Sequence, residues 1–241
     1  MSIERLDKVL SNMGYGTRKE VKALVKNGRV TLNGSVVKDS SMHIEPEKDE
    51  IYINGEKLCY KKYIYLMMNK PQGVISATYD NYDRTVIDLL GDEDVIFNPA
   101  PVGRLDKDTV GLLLITNDGE LNHRLLSPKK HVSKRYYARI EGRVTDEDVL
   151  KFKEGILLDD GYKTLSSELY ILKSDEESEI EVVIYEGKYH QVKRMFESVG
   201  KKVLYLKRFE MGPLKLDESL KEGEYRELSD EELKKLEESV K

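Results

Sequence analysis

The chain has 241 residues, 39% hydrophobic and 35% charged, with a single cysteine, no Trp and a formal net charge of −5. That length suffices for one large or two smaller packed domains. No apolar run approaches the ~18 residues of a membrane span, Met1-Ser2-Ile3-Glu4-Arg5 offers no apolar secretory core, and lone Cys59 excludes an internal disulfide, so a soluble protein of the reducing cytoplasm is expected.

The charge is unevenly spread. Residues 1–38 hold eight Lys/Arg against three acids; 122–139 hold six Lys/Arg, two His and no acid; 217–241 hold ten acids against five Lys/Arg. Local basic patches of this kind contact phosphate even on an acidic protein.

In chain order, Leu6, Val9, Leu10 and Met13 recur at helical spacing until Gly14 and Gly16 stop the helix. Thr17-Arg18-Lys19-Glu20 is a capping box opening a second helix with Val21, Leu24 and Val25 inward. Arg29 to Leu32 alternates as a strand, and Asn33-Gly34 turns it into a hairpin with Ser35-Val36-Val37. A further hairpin is expected around Ile51 to Gly55. Residues 57–62 read as a linker. Ile64 to Asn69 is a strand broken by Lys70-Pro71-Gln72-Gly73. Val110 to Ile115 is an apolar run too short for a helix, hence a buried strand, followed by Asn117-Asp118-Gly119 turn chemistry and a helix from Glu120 to Leu126. Other strands are expected near 132–141, 166–173, 179–186 and 202–209, and helices near 84–91, 145–154, 188–199 and 229–239. The mixture predicts an α+β protein with two parts, residues 1–59 and 60–241, the second built on a mixed, mainly antiparallel sheet.

Arg104, Asp106 and Asp108 fall on the loop entering the buried strand. A carboxylate there needs a cation or hydrogen-bond donors. Asp106-Lys107-Asp108 has the look of a metal pair, but capping of backbone N–H groups is the ordinary role of such an Asp108.

Arg5-Leu6-Asp7-Lys8, Thr17-Arg18 and Lys26 to Gly34 resemble an S4 domain, a module that binds RNA. The resemblance places Arg5, Lys8, Arg18, Lys19, Lys22, Lys26 and Arg29 on a basic face able to follow an RNA backbone. Four later segments resemble pseudouridine synthases of the branch that modifies ribosomal RNA: Asn69-Lys70-Pro71-Gln72-Gly73, Gly103 to Gly119, Ser133-Lys134-Arg135-Tyr136, and Glu186 to Phe196. This resemblance implies Asp106 as nucleophile, Tyr136 stacking on the target base, Lys193 as the cation beside Asp106 with Arg194 competing for that role, and Arg104 opening or filling the RNA stack. It implies no cofactor and no metal. The basic strip from His123 to Arg139, Lys134 included, is read as adding phosphate contacts. His190 and Gln191 are read either as ligands or bases or as orienting the motif helix, and Pro71 and Gly73 as shaping the neighbouring loop.

The run Gly187-Lys188-Tyr189-His190-Gln191-Val192-Lys193-Arg194 resembles members acting on small-subunit (16S) rRNA, whereas members acting on the large subunit show Gly-x-Asn-Arg there. The expected partner is therefore 16S rRNA, with 23S rRNA the alternative, and the expected state a monomer. A non-catalytic RNA-binding assembly factor, or a metal-dependent sugar transferase using Asp106 and Asp108, are the readings from other classes.

Overall fold

A computed structural model describes residues 3–241. The chain divides into two compact units. The first runs to Ile64 and includes Gly91–Asn98; the second comprises Tyr65–Leu90 and Pro99–Lys241. The boundary expected at 59/60 falls after Ile64, and 91–98 belong to the first unit rather than the second. Packing explains the difference at 91–98: Ile96 lies against Gly14, where an added Cβ would sit 2.9 Å from Ile96 Cδ1.

In the first unit β1 (Glu4–Arg5) leads into α1 (Leu6–Asn12), followed by α2 (Arg18–Lys26), β2 (Val30–Leu32), β3 (Ser35–Val36), β4 (His43–Ile44), β5 (Ile51–Ile53), β6 (Glu56–Lys57) and the short α3 (Asp92–Val95). The Thr17–Glu20 capping box forms, with Thr17 N–H donating to Glu20 Oε2 at 2.7 Å. Asn33-Gly34 and Asn54-Gly55 all have positive φ, as two-residue hairpin turns require, and connect β2 to β3 and β5 to β6. These strands form one sheet, ordered β3-β2-β5-β6. Leu6, Val9, Leu10, Val21 and Val25 bury the helical faces against Val30, Ile51 and Ile53.

The second unit is built on a nine-stranded sheet. Its strands are β7 (Tyr65–Lys70), β8 (Ala100–Pro101), β9 (Val110–Thr116), β10 (Lys134–Glu141), β11 (Glu168–Lys173), β12 (Glu177–Ile184), β13 (Lys202–Met211), β14 (Leu214–Lys215) and β15 (Tyr225–Glu227). The main order is β11-β12-β10-β13-β9-β7-β15. Every pairing is antiparallel except β13 with β9, which meet in parallel over two positions, Lys207 with Val110 and Arg208 with Gly111. The helices are α4 (Gly119–Leu126), α5 (Asp146–Glu154), α6 (Gln191–Ser198) and α7 (Asp230–Glu238). All seven residues of β9 are buried, as its unbroken apolar run demands. Asp118 caps α4, accepting from the N–H groups of Glu120 and Leu121. Phe152 of α5 packs on Phe196 of α6, ring centroids 4.8 Å apart.

The helix expected over 84–91 is absent. Only a 3₁₀ turn at Ile87–Leu89 forms: Thr85 and Asp88 cap each other as at a helix start, but Leu90 is already extended, with ψ 152°, and ends the turn.

Arg226 on β15 ties the C-terminal segment together, reaching Asp217 at 2.7 Å and Glu232 of α7 at 2.8 Å. Hydrogen bonds from Ser219 and Arg226 lower Asp217 to about 2, and those from Arg226 lead in lowering Glu232 to about 2. A carboxylate lowered by folding contributes stability that is whole above its unfolded pKa, about 4, and is lost as pH falls toward 2. Urea midpoints of wild type should therefore drop between pH 5 and pH 2.5 more than those of Arg226→Met. Parallel curves would remove these pairs from the account.

Candidate active site

The Asp106 loop is fastened from beneath by the end of β7. Lys70 is fully buried, and its ammonium donates to the carbonyls of Pro71, Asp106 and Thr109 at 3.0, 3.1 and 2.9 Å. Burial pushes this lysine down to about 8, while attraction to Asp106 and Asp108 opposes the shift. The hydroxyl of buried Ser76 accepts from Leu105 N–H and donates to Leu105 C=O, and Gly73 N–H donates to Lys107 C=O. With Leu105 only 4% exposed, the carboxylate of Asp106 is presented from a loop whose backbone is held on several sides.

The opposing cation comes from α6. Val192, Met195 and Phe196 bury the inner face of this helix, which leaves Lys193 at its edge. Lys193 Nζ donates to Asp106 Oδ2 at 2.9 Å and to Asp108 Oδ1 at 2.6 Å. Burial pulls Lys193 down, but the bonds to Asp108 and Asp106 outweigh it and hold the pKa above the usual lysine value. Burial also raises Asp108, yet Lys193 brings it below the ordinary carboxylate range. Asp108 is thus an ion-pair partner of Lys193 as well as a loop residue. Arg194 turns away and pairs with Asp159 and Asp160.

The start of α6 is fixed by buried polar groups. Gln191, 4% exposed, accepts from Lys188 N–H and donates to Glu186, which also accepts from Tyr162 O–H and Leu165 N–H. His190 precedes the helix with φ +50° and brings Nε2 to 3.6 Å from Asp106 Oδ1. The carboxylate therefore has Lys193 at one oxygen and an imidazole near the other.

Tyr136 lies on the inward face of β10, 7% exposed, in register with Val182 of β12 and Arg208 of β13. Tyr137 takes the other face, donating to Glu179 and packing edge-on to Tyr205. Arg104 is exposed and has no ion-pair partner among the described residues. Neither Tyr136 nor Arg104 is hydrogen-bonded to Asp106.

Lys134 departs from expectation. It shares the inward face of β10 with Tyr136, is 9% exposed, and donates to Val132 C=O, so it is not a surface phosphate contact. Burial, with Arg208 nearby, lowers it to about 8. In the first unit Arg5, Lys8, Arg18, Lys19, Lys22, Lys26 and Arg29 are all exposed. Arg5 and Lys8 are partly neutralised by Asp7 and Glu4.

A cavity of about 570 Å³ in the second unit is lined by Tyr137, Tyr205, Lys207 and Phe209 and includes none of Asp106, Tyr136 or Lys193. Among the described residues no cluster of three or more His, Cys, Asp or Glu is placed to hold a metal, and the Lys193 ammonium sits between Asp106 and Asp108. No helix of the described residues is long and apolar enough to cross a membrane.

The chain thus carries a small module of helices and strands and an α+β unit whose loop carboxylate pairs with a helix lysine. The model of the RNA pseudouridylate synthase family matches residues 64–198, and the S4 domain model matches residues 4–51. An uncharacterised RNA pseudouridine synthase of Bacillus subtilis is 52% identical over 95% of this chain and 96% of its own. The ribosomal large subunit pseudouridine synthase B of the same organism is 38% identical, covering 97% of this chain and 96% of its own. The ribosomal small subunit pseudouridine synthase A of Haemophilus influenzae is 40% identical, covering 96% and 99%. The chain belongs to the RNA pseudouridylate synthase family and carries an S4 domain; it is a pseudouridine synthase acting on RNA.

Proposed function

We propose that the enzyme converts one uridine of 16S rRNA to pseudouridine with Asp106 as its nucleophile. The observation that carries the assignment to Asp106 is its ion pair with Lys193 on a loop fastened by Lys70. The reaction is an isomerisation. The N1–C1′ bond breaks, the uracil turns while held, a C5–C1′ bond forms, and the C5 proton is lost as N1 takes up a proton. The Asp106 carboxylate either bonds to C1′ and departs when C5 attacks, or takes a ribose proton and returns it. Both routes restore the enzyme without an external group. Lys193, at 2.9 Å from Oδ2, sets a positive charge against the carboxylate and fixes its orientation. The target base is extruded and stacks on Tyr136, while Arg104, unpaired and exposed, enters the space left in the RNA stack. Residues 1–59 act as the RNA-binding module, through the exposed cations from Arg5 to Arg29, and 60–241 as the catalytic domain.

The choice of 16S rests on Gly187 to Arg194, since the small- and large-subunit relatives are about equally similar to the chain. Site-resolved pseudouridine mapping of 16S and 23S rRNA transcripts after incubation with the protein tests it. One new pseudouridine in 16S is the expected result. Modification of 23S alone would overturn the substrate and leave the chemistry.

A further inference from the structure

Tyr189 presents a large aromatic ring to solvent, 76% exposed, beside the catalytic carboxylate. Its position is defined, not free. The ring stacks on His190, with centroids 3.8 Å apart and planes 16° from parallel. His190 in turn is set by its left-handed backbone and lies against Asp106. The Tyr189 carbonyl accepts from Arg194, whose guanidinium is anchored on Asp160 at 2.7 Å. The carboxylate, the imidazole and the phenol thus form a fixed series whose last face is open. Lys188 and Lys193 place positive charge on either side of it in sequence.

Extruding a uridine strips a stacking face from the base next to it, at a cost the protein can offset with a surface of its own. An aromatic ring stacks on any base, since every base has a π face. We propose that Tyr189 is a stacking platform for the base of a nucleotide adjoining the target uridine, with His190 as the spacer that fixes its distance from Asp106. This rests on the proposed rRNA reading and adds to it a residue that positions the substrate outside the uracil pocket. The platform acts on RNA binding, because the flanking base takes no part in bond exchange.

The test is a cycle between protein and RNA, using whichever rRNA fragment the wild type modifies. Tyr189→Ala should weaken binding about 5- to 100-fold, the range expected for one base–aromatic stack, with a much smaller change in the single-turnover rate at saturating RNA. Tyr189→Phe, which keeps the ring, should recover affinity. An abasic residue on one side of the target should weaken wild-type binding similarly and have little further effect in Tyr189→Ala. Unchanged binding by Tyr189→Ala, or full additivity with abasic residues on both sides, overturns the platform. Modification of 23S in place of 16S overturns only the substrate reading, and the same cycle on 23S still decides the platform. Modification of neither overturns both.

Discussion

Asp106→Asn is expected to lower the rate of pseudouridine formation by at least about 10³-fold while RNA affinity stays within about threefold of wild type. The amide has the size of the carboxylate and keeps an oxygen for Lys193, so the loop held by Lys70 and Ser76 retains its shape. What is lost is the anion. An amide neither bonds to the sugar carbon and leaves nor accepts a ribose proton at neutral pH. Lys193 retains Asp108 at 2.6 Å, so no isolated cation is created, and the stability change should stay within about 1 kcal/mol. Single-turnover modification and filter binding of the same RNA separate the two effects. A rate within tenfold of wild type would remove Asp106 from the reaction; a parallel loss of binding would make it an RNA contact.

Gly111→Ala should be the most destabilising single change near the site, costing more than about 4 kcal/mol. A Cβ at Gly111 would fall 2.1 Å from the Arg208 carbonyl oxygen and 3.0 Å from Lys207 Cγ, and the residue has φ +102°. The oxygen is backbone, so it moves only if the strand moves. The parallel contact of β9 with β13 spans two positions, so the clash falls at half of the junction that joins the two sides of the large sheet. Loss of the left-handed backbone allowance adds strain of about 1–2 kcal/mol. Urea unfolding, or failure to recover soluble protein, reads the effect. A variant within 1 kcal/mol of wild type would mean the strands part there at little cost.

Much of the scaffold could be read from local sequence because local chemistry sets it. The Thr17 capping box, the two Asn-Gly hairpins and the Asp118 cap are decided within a few residues, and the apolar run of β9 by its own composition. The 84–91 helix failed although Thr85 and Asp88 cap each other, because Leu90 turns extended after a single 3₁₀ turn. Lys134 was misplaced because strand alternation buries it with Tyr136, and its charge alone gave no sign of that. At the site, the family resemblance rather than any spacing pointed to Asp106, and favoured Lys193 over Arg194. Their separation depends on what each meets across the fold, Asp106 and Asp108 for one and Asp159 and Asp160 for the other. The under-loop role of Lys70 has a local signal: a cation ending an otherwise apolar buried strand must find acceptors. The approach of His190 to Asp106 depends on a backbone twist no spacing rule encodes.

The parallel junction of β9 and β13 also orders the life of a new chain. Asp106 leaves the ribosome with β7 and β9, but Lys193 follows 87 residues later, and β13, which β9 needs as its neighbour, comes after that. At about 5–20 residues per second the carboxylate waits roughly 4–17 s for its counter-charge. Through that interval Val110 and Gly111 at the start of β9 lack their β13 partners, and the nascent protein is both unable to modify RNA and exposed to misassociation. A chain stalled before β13 should therefore bind chaperones and modify nothing, and competence should arrive late and all at once.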